Sequence, residues 1–190
     1  MQLSHNDYSF IREMRDGGIL EDAIPEKLNT NTRMVACQCG DGHRFGDWFN
    51  HLSNRLCFKA ELIHPVTVNG GALTLDHRSP LANRNGREHD MVYLDNIAES
   101  CRIKETNTVL LGVHFPCGMA GSYGLSAFDV LEHFISGKDR LRHSIPGVQP
   151  ILLVHVDYGG FRNLDRFRTY FFNRKKFESW KKSSVSMAVA

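Results

Sequence analysis

Residues 35–44 read VACQCGDGHR, and this stretch decides how the rest of the chain is interpreted. Its first half extends an apolar, partly β-branched run that starts at residue 33, so it predicts a buried strand over 33–39. The GDG that follows predicts a glycine-rich turn. Two cysteines, an aspartate, a histidine and an arginine thus fall at or just beyond the carboxyl end of a predicted strand.

The remaining chain alternates short apolar strands with helical patterns. Three further segments predict strands, namely 64–75, 107–118 and 150–160. Three segments with an apolar helical face predict helices, namely 6–16, 91–103 and 125–137, the last ending at Gly137. Asn69, Gly70 and Gly71 interrupt the first of these strands and indicate a turn, a bulge or a close backbone approach. This order predicts an α/β fold with a mainly parallel β-sheet flanked by helices and preceded by an N-terminal helix.

Composition bounds the class of protein. A chain of 190 residues with 42% hydrophobic residues predicts one folded domain. The net charge of +2 does not favour nucleic-acid binding, and no apolar run predicts a membrane span or a secretory signal. Five cysteines, an odd number, do not resemble a secreted disulfide framework. We therefore expect reduced thiols and a cytoplasmic protein.

Functional groups of a parallel sheet gather at the carboxyl ends of its strands. Cys39 and Asp41 follow one predicted strand, and His114 and Cys117 follow another. If these strands are neighbours, the four side chains converge, and Cys39, His114 and Cys117 supply the thiolate and imidazole ligands that zinc favours. Cys37 shares a strand face with Cys39, so either it completes a closed structural site or it packs in the core, which we favour. A Cys-His hydrolase is a weaker alternative, because no residue pair is selected for it.

The two motifs resemble those of the β-class carbonic anhydrase family. That family pairs Cys-x-Asp-Ser-Arg after one strand with His-x-x-Cys-Gly after another, and binds zinc through the two cysteines and the histidine. The counterparts here are CGDGH at 39–43 and HFPCG at 114–118, and VTVNGGALTL at 66–75 resembles the strand between them. The resemblance covers roughly residues 33–160. It divides the single domain at 1–190 into an N-terminal helical arm at 1–32, a zinc-binding core at 33–160 and a basic, aromatic extension at 161–190.

The chain departs from the family motif at the arginine. In the family, the aspartate pairs with this arginine, which keeps the carboxylate off zinc so that water can bind. Here His43 occupies that position and Arg44 follows one residue late. Asp41 then either closes the site as a fourth ligand or is met by Arg44 swinging back across the turn.

An open site implies reversible hydration of carbon dioxide to bicarbonate. Zinc lowers the pKa of its water to about 7, and the resulting hydroxide attacks carbon dioxide. By resemblance, Asp41 accepts the hydrogen bond that orients the hydroxide, with Arg44 as its partner. We add His43 as a proton shuttle, because its unperturbed pKa near 6.5 suits neutral pH. The alternatives are a closed, non-catalytic zinc protein, or hydrolysis of carbonyl sulfide or carbon disulfide at the same site. The resemblance also implies a homodimer or larger homo-oligomer, with an N-terminal helix that wraps the neighbouring subunit.

Several other features carry weaker predictions. Residues 76–90 predict a long polar surface loop. Residues 161–182 interleave basic and aromatic residues, and we favour a terminal helix or strand over a nucleic-acid site. Cys57 and Cys101 are predicted to lie in the core. Five histidines are predicted to be exposed or hydrogen-bonded: His77, His89, His133, His143 and His155.

Overall fold

The computed structural model describes residues 2–159 and 166–188, with the side chains of 42, 43 and 185–188 outside the description. Within these ranges the chain forms the six helices α1 His5–Asp16, α2 Gly42–Asn50, α3 His89–Lys104, α4 Gly118–Ser122, α5 Ala127–Ser144 and α6 Arg174–Ala188. It also forms the eight strands β1 Leu20–Asp22, β2 Met34–Cys39, β3 Ile63–Val68, β4 Asn83–Arg84, β5 Arg87–Glu88, β6 Thr108–Phe115, β7 Gln149–Asp157 and β8 Phe167–Phe172.

Six of these strands build one sheet in the order β1-β8-β7-β6-β2-β3. β3, β2, β6 and β7 are parallel, while β8 runs antiparallel to both β7 and β1. The predicted α/β fold with a mainly parallel sheet is therefore confirmed. β6 lies between β2 and β7, so the carboxyl ends of these three strands meet at one edge of the sheet.

Apolar side chains cover both faces of the sheet, as expected for buried parallel strands. Val35, Cys37 and Cys39 of β2 face the larger core, which α1, α3, α5 and α6 complete. Met34 and Ala36 face a smaller core that includes Trp48 of α2 and Leu52 beyond it. Residues two apart share a strand face, so this division follows from the sequence of β2 alone.

Capping residues fix the starts of two helices that cover the larger core. Ser4 accepts a hydrogen bond from the Asp7 backbone N–H at 3.0 Å and begins α1. Ser126 and Asp129 form a reciprocal capping box at the start of α5. The predicted helix at 6–16 is confirmed, and its apolar residues Tyr8, Ile11 and Met14 are buried against the chain's own core. The apolar face of α1 is thus covered without a second subunit.

Two predicted boundaries are wrong. The strand predicted over 64–75 ends at Val68, and Gly71–Leu75 form a buried 3-10 helix instead. Gly137 does not end α5, which continues to Ser144. A Cβ at Gly137 would lie 2.8 Å from the Ala72 carbonyl oxygen, so this glycine permits a close approach of helix and loop. The arm at 1–32 also contains β1, which the sequence analysis did not predict.

The carboxyl-terminal segment is part of the sheet. β8 pairs with β7 from Leu153 to Asp157, and α6 then packs Phe177 into the larger core. The segment 161–182, predicted to form a terminal helix or strand, contains β8 and the first half of α6, although residues 160–165 lie outside the described part of the chain. Most of the aromatic residues there pack on the domain.

The segment 76–90 is not simply a surface loop. Asp76, Ser79, Leu81, Ala82 and Asp90 are buried, and β4 pairs with β5 in a short hairpin. Two side-chain contacts fasten the segment to α5. His133 Nδ1 lies 2.8 Å from an Asp76 carboxylate oxygen, and Arg140 donates to Asp90.

Asp76 predicts a specific acid sensitivity. Burial of its carboxyl would raise the pKa, but hydrogen bonds from Arg78, His133 and Ser136 outweigh this effect and lower the pKa to about 2. Because the folded pKa lies below the unfolded value near 4, the stabilisation is present above about pH 4 and is lost toward pH 2. We expect Asp76→Asn to lower the free energy of unfolding by about 2 kcal/mol at pH 7.

Urea unfolding at pH 7 and at successively lower pH checks this expectation. The difference in the free energy of unfolding between wild type and Asp76→Asn should narrow as pH falls from about 4 toward 2. His77→Gln provides a comparison, because its ring lies 3.9 Å from the same carboxylate and is 70% exposed. A gap that stays constant with pH would show that the loss comes from altered packing rather than from the carboxylate charge.

Candidate metal centre

The structure brings together the three side chains that the sequence predicts as metal ligands. Cys39 ends β2, His114 lies near the end of β6, and Cys117 follows in the turn before α4. Their ligand atoms, two Sγ atoms and one imidazole nitrogen, all lie within 4.8 Å of one another. All three residues are buried. Parallel pairing of β2 with β6 explains the convergence, because it places both strand ends at the same sheet edge.

His114 presents one ring nitrogen to the cluster. Its Nδ1 lies 2.9 Å from the Pro116 carbonyl oxygen, and since that oxygen only accepts, the hydrogen bond places the proton on Nδ1. Nε2 is buried and has no hydrogen-bond partner among the described residues. A buried polar atom without a partner is unusual in a folded protein. The lone pair on Nε2 is therefore available to a metal, in the tautomer that metal-bound histidines adopt.

Cys39 is prepared as a thiolate. The Cys117 thiol hydrogen-bonds to Cys39 and lowers the pKa of Cys39 despite the opposing effect of burial, and the Gly70 backbone N–H adds to this effect. The Gly70 nitrogen lies 3.3 Å from Cys39 Sγ. The pKa of Cys117 is raised, chiefly because its proton is held by the Cys39 sulfur. A bound cation would release that remaining proton, because metal ligation favours the deprotonated thiol.

The Asn69-Gly70-Gly71 turn packs directly beneath Cys39. Gly71 has φ +53°, and a Cβ there would lie 2.5 Å from the Cys39 backbone nitrogen. The predicted close backbone approach is therefore found at Gly71. This contact holds the turn against β2 and brings the Gly70 N–H within reach of the Cys39 sulfur.

Cys37 lies behind the cluster. It is buried in the larger core, and the cluster of possible ligands in the described part of the chain does not include it. Burial raises the pKa of its thiol, with Tyr93 as a hydrogen-bond neighbour. Cys101 is buried as predicted, whereas Cys57 is exposed, so the prediction of a core position for Cys57 is wrong. Cys57 has φ +57° and sits in the connection before β3, outside the apolar pattern of either core.

Asp41 lies beside the cluster without belonging to it. Its backbone carbonyl accepts hydrogen bonds from the Arg44 and Phe45 N–H groups and so begins α2. Its carboxylate is not among the clustered ligand atoms of the described residues. His43 sits in the first turn of α2, and its side chain falls outside the description.

A cavity of about 790 Å³ opens next to the cluster. Pro116 and Gly118, which flank Cys117, line it together with Asp41. Arg44, Asp157 and Arg166 also line this cavity. A second, smaller space of about 130 Å³ borders Cys117 itself, and its lining includes the apolar Leu125 and Val130 as well as the polar Gln2, Ser4 and Asp7.

Arg44 has a partner that the sequence analysis missed. Its Nη1 donates to Asp157 Oδ2, and Asp47 Oδ2 lies 3.8 Å from the same nitrogen. Asp157 is the last residue of β7 and is 4% exposed. Because β7 is parallel to β6, the strand-end rule that selected Cys39 and His114 also points to Asp157.

His155 differs from the expectation of an exposed or fully hydrogen-bonded histidine. It is buried and pairs in register with His114 across β6 and β7. Nδ1 lies 2.9 Å from Thr169 Oγ1, while Nε2 has no hydrogen-bond partner among the described residues. Burial lowers the pKa of His155 to about 3, so the ring is neutral at physiological pH. His133 is half-buried and bound to Asp76, as expected for a hydrogen-bonded histidine.

The fold and the cluster define an α/β protein with a buried Cys-His-Cys set of possible metal ligands. Solved structures similar to it include the β-carbonic anhydrase CafD of the fungus Aspergillus fumigatus, with 8% sequence identity and a TM-score of 0.45 over 81% of this chain and 99% of that chain. A mutant of the same enzyme gives 9% identity and a TM-score of 0.41 over 82% and 99%. No protein-family model and no curated protein sequence matches this chain. Among the described residues, no helix is long and apolar enough to cross a membrane.

Proposed function

We propose that this protein binds Zn²⁺ and catalyses the reversible hydration of carbon dioxide to bicarbonate. The observation that carries the proposal is the convergence of Cys39, His114 and Cys117 within 4.8 Å. This set suits zinc, which favours thiolate and imidazole ligands in a tetrahedral arrangement. His114 Nε2 has no hydrogen-bond partner among the described residues, and the lowered pKa of Cys39 favours its thiolate form. Both the nitrogen and the sulfur can therefore donate a lone pair to a metal, which supports the same assignment.

Two cysteines and one histidine leave a tetrahedral ion one further position. The described residues that cluster there include neither Cys37 nor Asp41, which supports an open rather than a closed site. Zinc bound with an open position lowers the pKa of a water molecule to about 7 and so provides a nucleophile at neutral pH. This is the chemistry that hydration of carbon dioxide requires.

The chain's own residues would orient the nucleophile and carry away its proton. Asp41 lies two residues beyond Cys39 and lines the adjoining cavity, so its carboxylate can accept a hydrogen bond from the nucleophile. Arg44 lines the same cavity and supplies a positive charge beside the space where bicarbonate forms. His43 stays a predicted proton carrier, suited by an unperturbed pKa near 6.5.

The spaces beside the cluster fit a small substrate. Carbon dioxide is apolar and linear, and the lining of the smaller space beside Cys117 includes the aliphatic side chains of Leu125 and Val130. The larger cavity is lined by charged side chains, Arg44 among them, which can contact the bicarbonate product. Carbonyl sulfide and carbon disulfide have the same linear shape, so a substrate panel is the test that separates hydration of carbon dioxide from their hydrolysis.

Metal analysis and stopped-flow kinetics test the proposal. We expect about one zinc per chain in purified protein. The rate of carbon dioxide hydration should rise with pH between 6.5 and 9, because a water bound at the open position would lose its proton in this range. Removal of zinc with a chelator should abolish the activity, and added zinc should restore it. Protein that retains zinc but shows no zinc-dependent hydration would favour the closed, non-catalytic alternative.

Assembly and compartment stay predictions. We propose a cytoplasmic homodimer or larger homo-oligomer. β3 forms one edge of the main sheet, and Met91, Val92 and Ile103 of α3 are exposed apolar residues that a second subunit could cover. Sedimentation analysis of the zinc-loaded protein would measure the assembly directly.

A further inference from the structure

Arg44 and Asp157 form an ion pair among the residues that line the cavity beside the metal centre. Arg44 belongs to the first helix after β2, the strand that carries Cys39. Asp157 ends β7, on the far side of β6 and its ligand His114. The ion pair therefore bridges the two flanks of the site, and both residues line the larger cavity.

Asp157 is built to hold a guanidinium group in one place. Its Oδ2 accepts from Arg44, while its Oδ1 accepts from the Gly159 backbone N–H at 2.8 Å and faces Arg166 Nε at 3.4 Å. The side chains of Arg44 and Asp157 are 10% and 4% exposed, whereas that of Asp47 is 30% exposed. A buried, charge-assisted hydrogen bond restricts a long side chain much more strongly than a contact across solvent.

We propose that Asp157 is a positioning residue that fixes the Arg44 guanidinium at the wall of the cavity, where it binds the bicarbonate anion. Arg44 follows Asp41 by three residues on the turn that begins α2, so its position within the cavity depends on what anchors its far end. Asp157 provides this anchor. This role rests on the proposed function, which makes bicarbonate the anion formed at the site.

The direction in which removal of Asp157 changes bicarbonate affinity separates a positioning role from a simple electrostatic one. Asp157 carries a negative charge beside an anion site, so its removal alone should strengthen bicarbonate binding. If Asp157 instead positions Arg44, its removal should weaken binding, because the guanidinium is no longer held in place. The two roles thus predict opposite changes in the same dissociation constant.

The experiment measures bicarbonate binding to the zinc-loaded protein by titration calorimetry. We expect Asp157→Asn to raise the dissociation constant for bicarbonate about fivefold to tenfold and Arg44→Gln to raise it at least as much. In steady-state dehydration assays the KM for bicarbonate should rise, with a smaller change in kcat. In the Arg44→Gln background, Asp157→Asn should cause no further weakening, because Asp157 acts through Arg44.

Asp90→Asn is the matched control. Asp90 pairs with Arg140 in another partly buried ion pair, away from the metal centre, so its loss should leave bicarbonate affinity unchanged. Asp157→Glu keeps the charge and displaces the carboxylate by one methylene, so it should also weaken bicarbonate binding. It serves as the test variant if Asp157→Asn does not fold. Unchanged or tighter binding in the Asp157 variants would overturn the inference.

The proposed activity and this inference can fail separately. Protein that binds zinc and bicarbonate but does not hydrate carbon dioxide would refute the activity, while the calorimetric comparison of Asp157 and Arg44 variants would still decide the positioning role. Additive losses in the double variant would refute positioning even in an active enzyme.

Discussion

Replacement of Cys39 by serine is expected to remove bound zinc from the protein. Cys39 would supply one of the two proposed sulfur ligands, and a serine hydroxyl stays protonated at neutral pH, so it replaces the thiolate poorly. We expect zinc affinity to fall more than about 100-fold and hydration activity to be lost with the metal. Inductively coupled plasma mass spectrometry after dialysis against a weak chelator measures the first effect, and stopped-flow kinetics measures the second.

Cys37→Ser is the matched control for Cys39→Ser. Both residues belong to β2, share one face of the strand and are buried. Only Cys39 belongs to the cluster of possible ligands in the described structure. Cys37→Ser should therefore keep its zinc and lose only some stability, since it introduces a hydroxyl into the apolar core. A large loss of zinc from Cys37→Ser, comparable to that from Cys39→Ser, would contradict the assigned ligand set.

Replacement of Gly71 by alanine is expected to destabilise the protein and displace Cys39. The new Cβ would lie 2.5 Å from the Cys39 backbone nitrogen and 2.9 Å from the Gln38 carbonyl carbon, and neither atom can rotate away. The positive φ of +53° adds strain for any residue with a Cβ. Together these effects should lower the free energy of unfolding by about 2 to 5 kcal/mol. Chemical denaturation of the zinc-free protein measures this change.

Gly124→Ala separates the steric contact from the backbone strain. Gly124 also has a positive φ, +68°, but no atom lies within 4 Å of the Cβ position. Its replacement should cost only the strain, about 1 to 2 kcal/mol, and should not affect zinc affinity. Gly71→Ala should lower zinc affinity as well, because β2 must shift where Cys39 is attached. Equal effects of the two substitutions would show that the close approach at Gly71 does not hold the ligand.

The sequence was sufficient to predict the sheet and the three side chains that cluster at its edge, because both depend on local signals. Short apolar runs followed by glycine or proline predicted β2, β6 and β7 within a few residues of their observed ends. Cys39, His114 and Cys117 could then be placed together by one rule, that functional groups gather where parallel strands end. No information on other proteins was needed for this step.

The errors arose where tertiary contacts override local pattern. Leu73 and Leu75 fit an alternating strand, but they lie in a buried 3-10 helix that packs on α5. Gly137 has the local character of a helix end, yet α5 continues because the missing side chain lets the helix approach Ala72. Polar residues at 76–90 predicted a surface loop, although side-chain contacts to His133 and Arg140 of α5 satisfy the buried carboxylates.

Asp157 shows what an isolated motif leaves out. The one-residue shift of the arginine to Arg44 raised the question of how Arg44 could serve the site, and the sequence suggested only Asp41 as its partner. The partner that holds Arg44 lies 113 residues further along the chain. Its acidic type and its place at the end of β7 were visible in the sequence, but the order of the strands was needed to bring it to the cavity.

A crystal structure of the zinc-loaded protein at neutral pH, with anomalous scattering at the zinc edge, tests the central claim most directly. We predict one zinc ion at about 2.3 Å from the sulfur atoms of Cys39 and Cys117 and about 2.0 Å from Nε2 of His114. Water should occupy the fourth position, with the Asp41 carboxylate outside bonding distance. A fourth bond to Asp41 or Cys37, or zinc bound away from these three residues, would contradict the account.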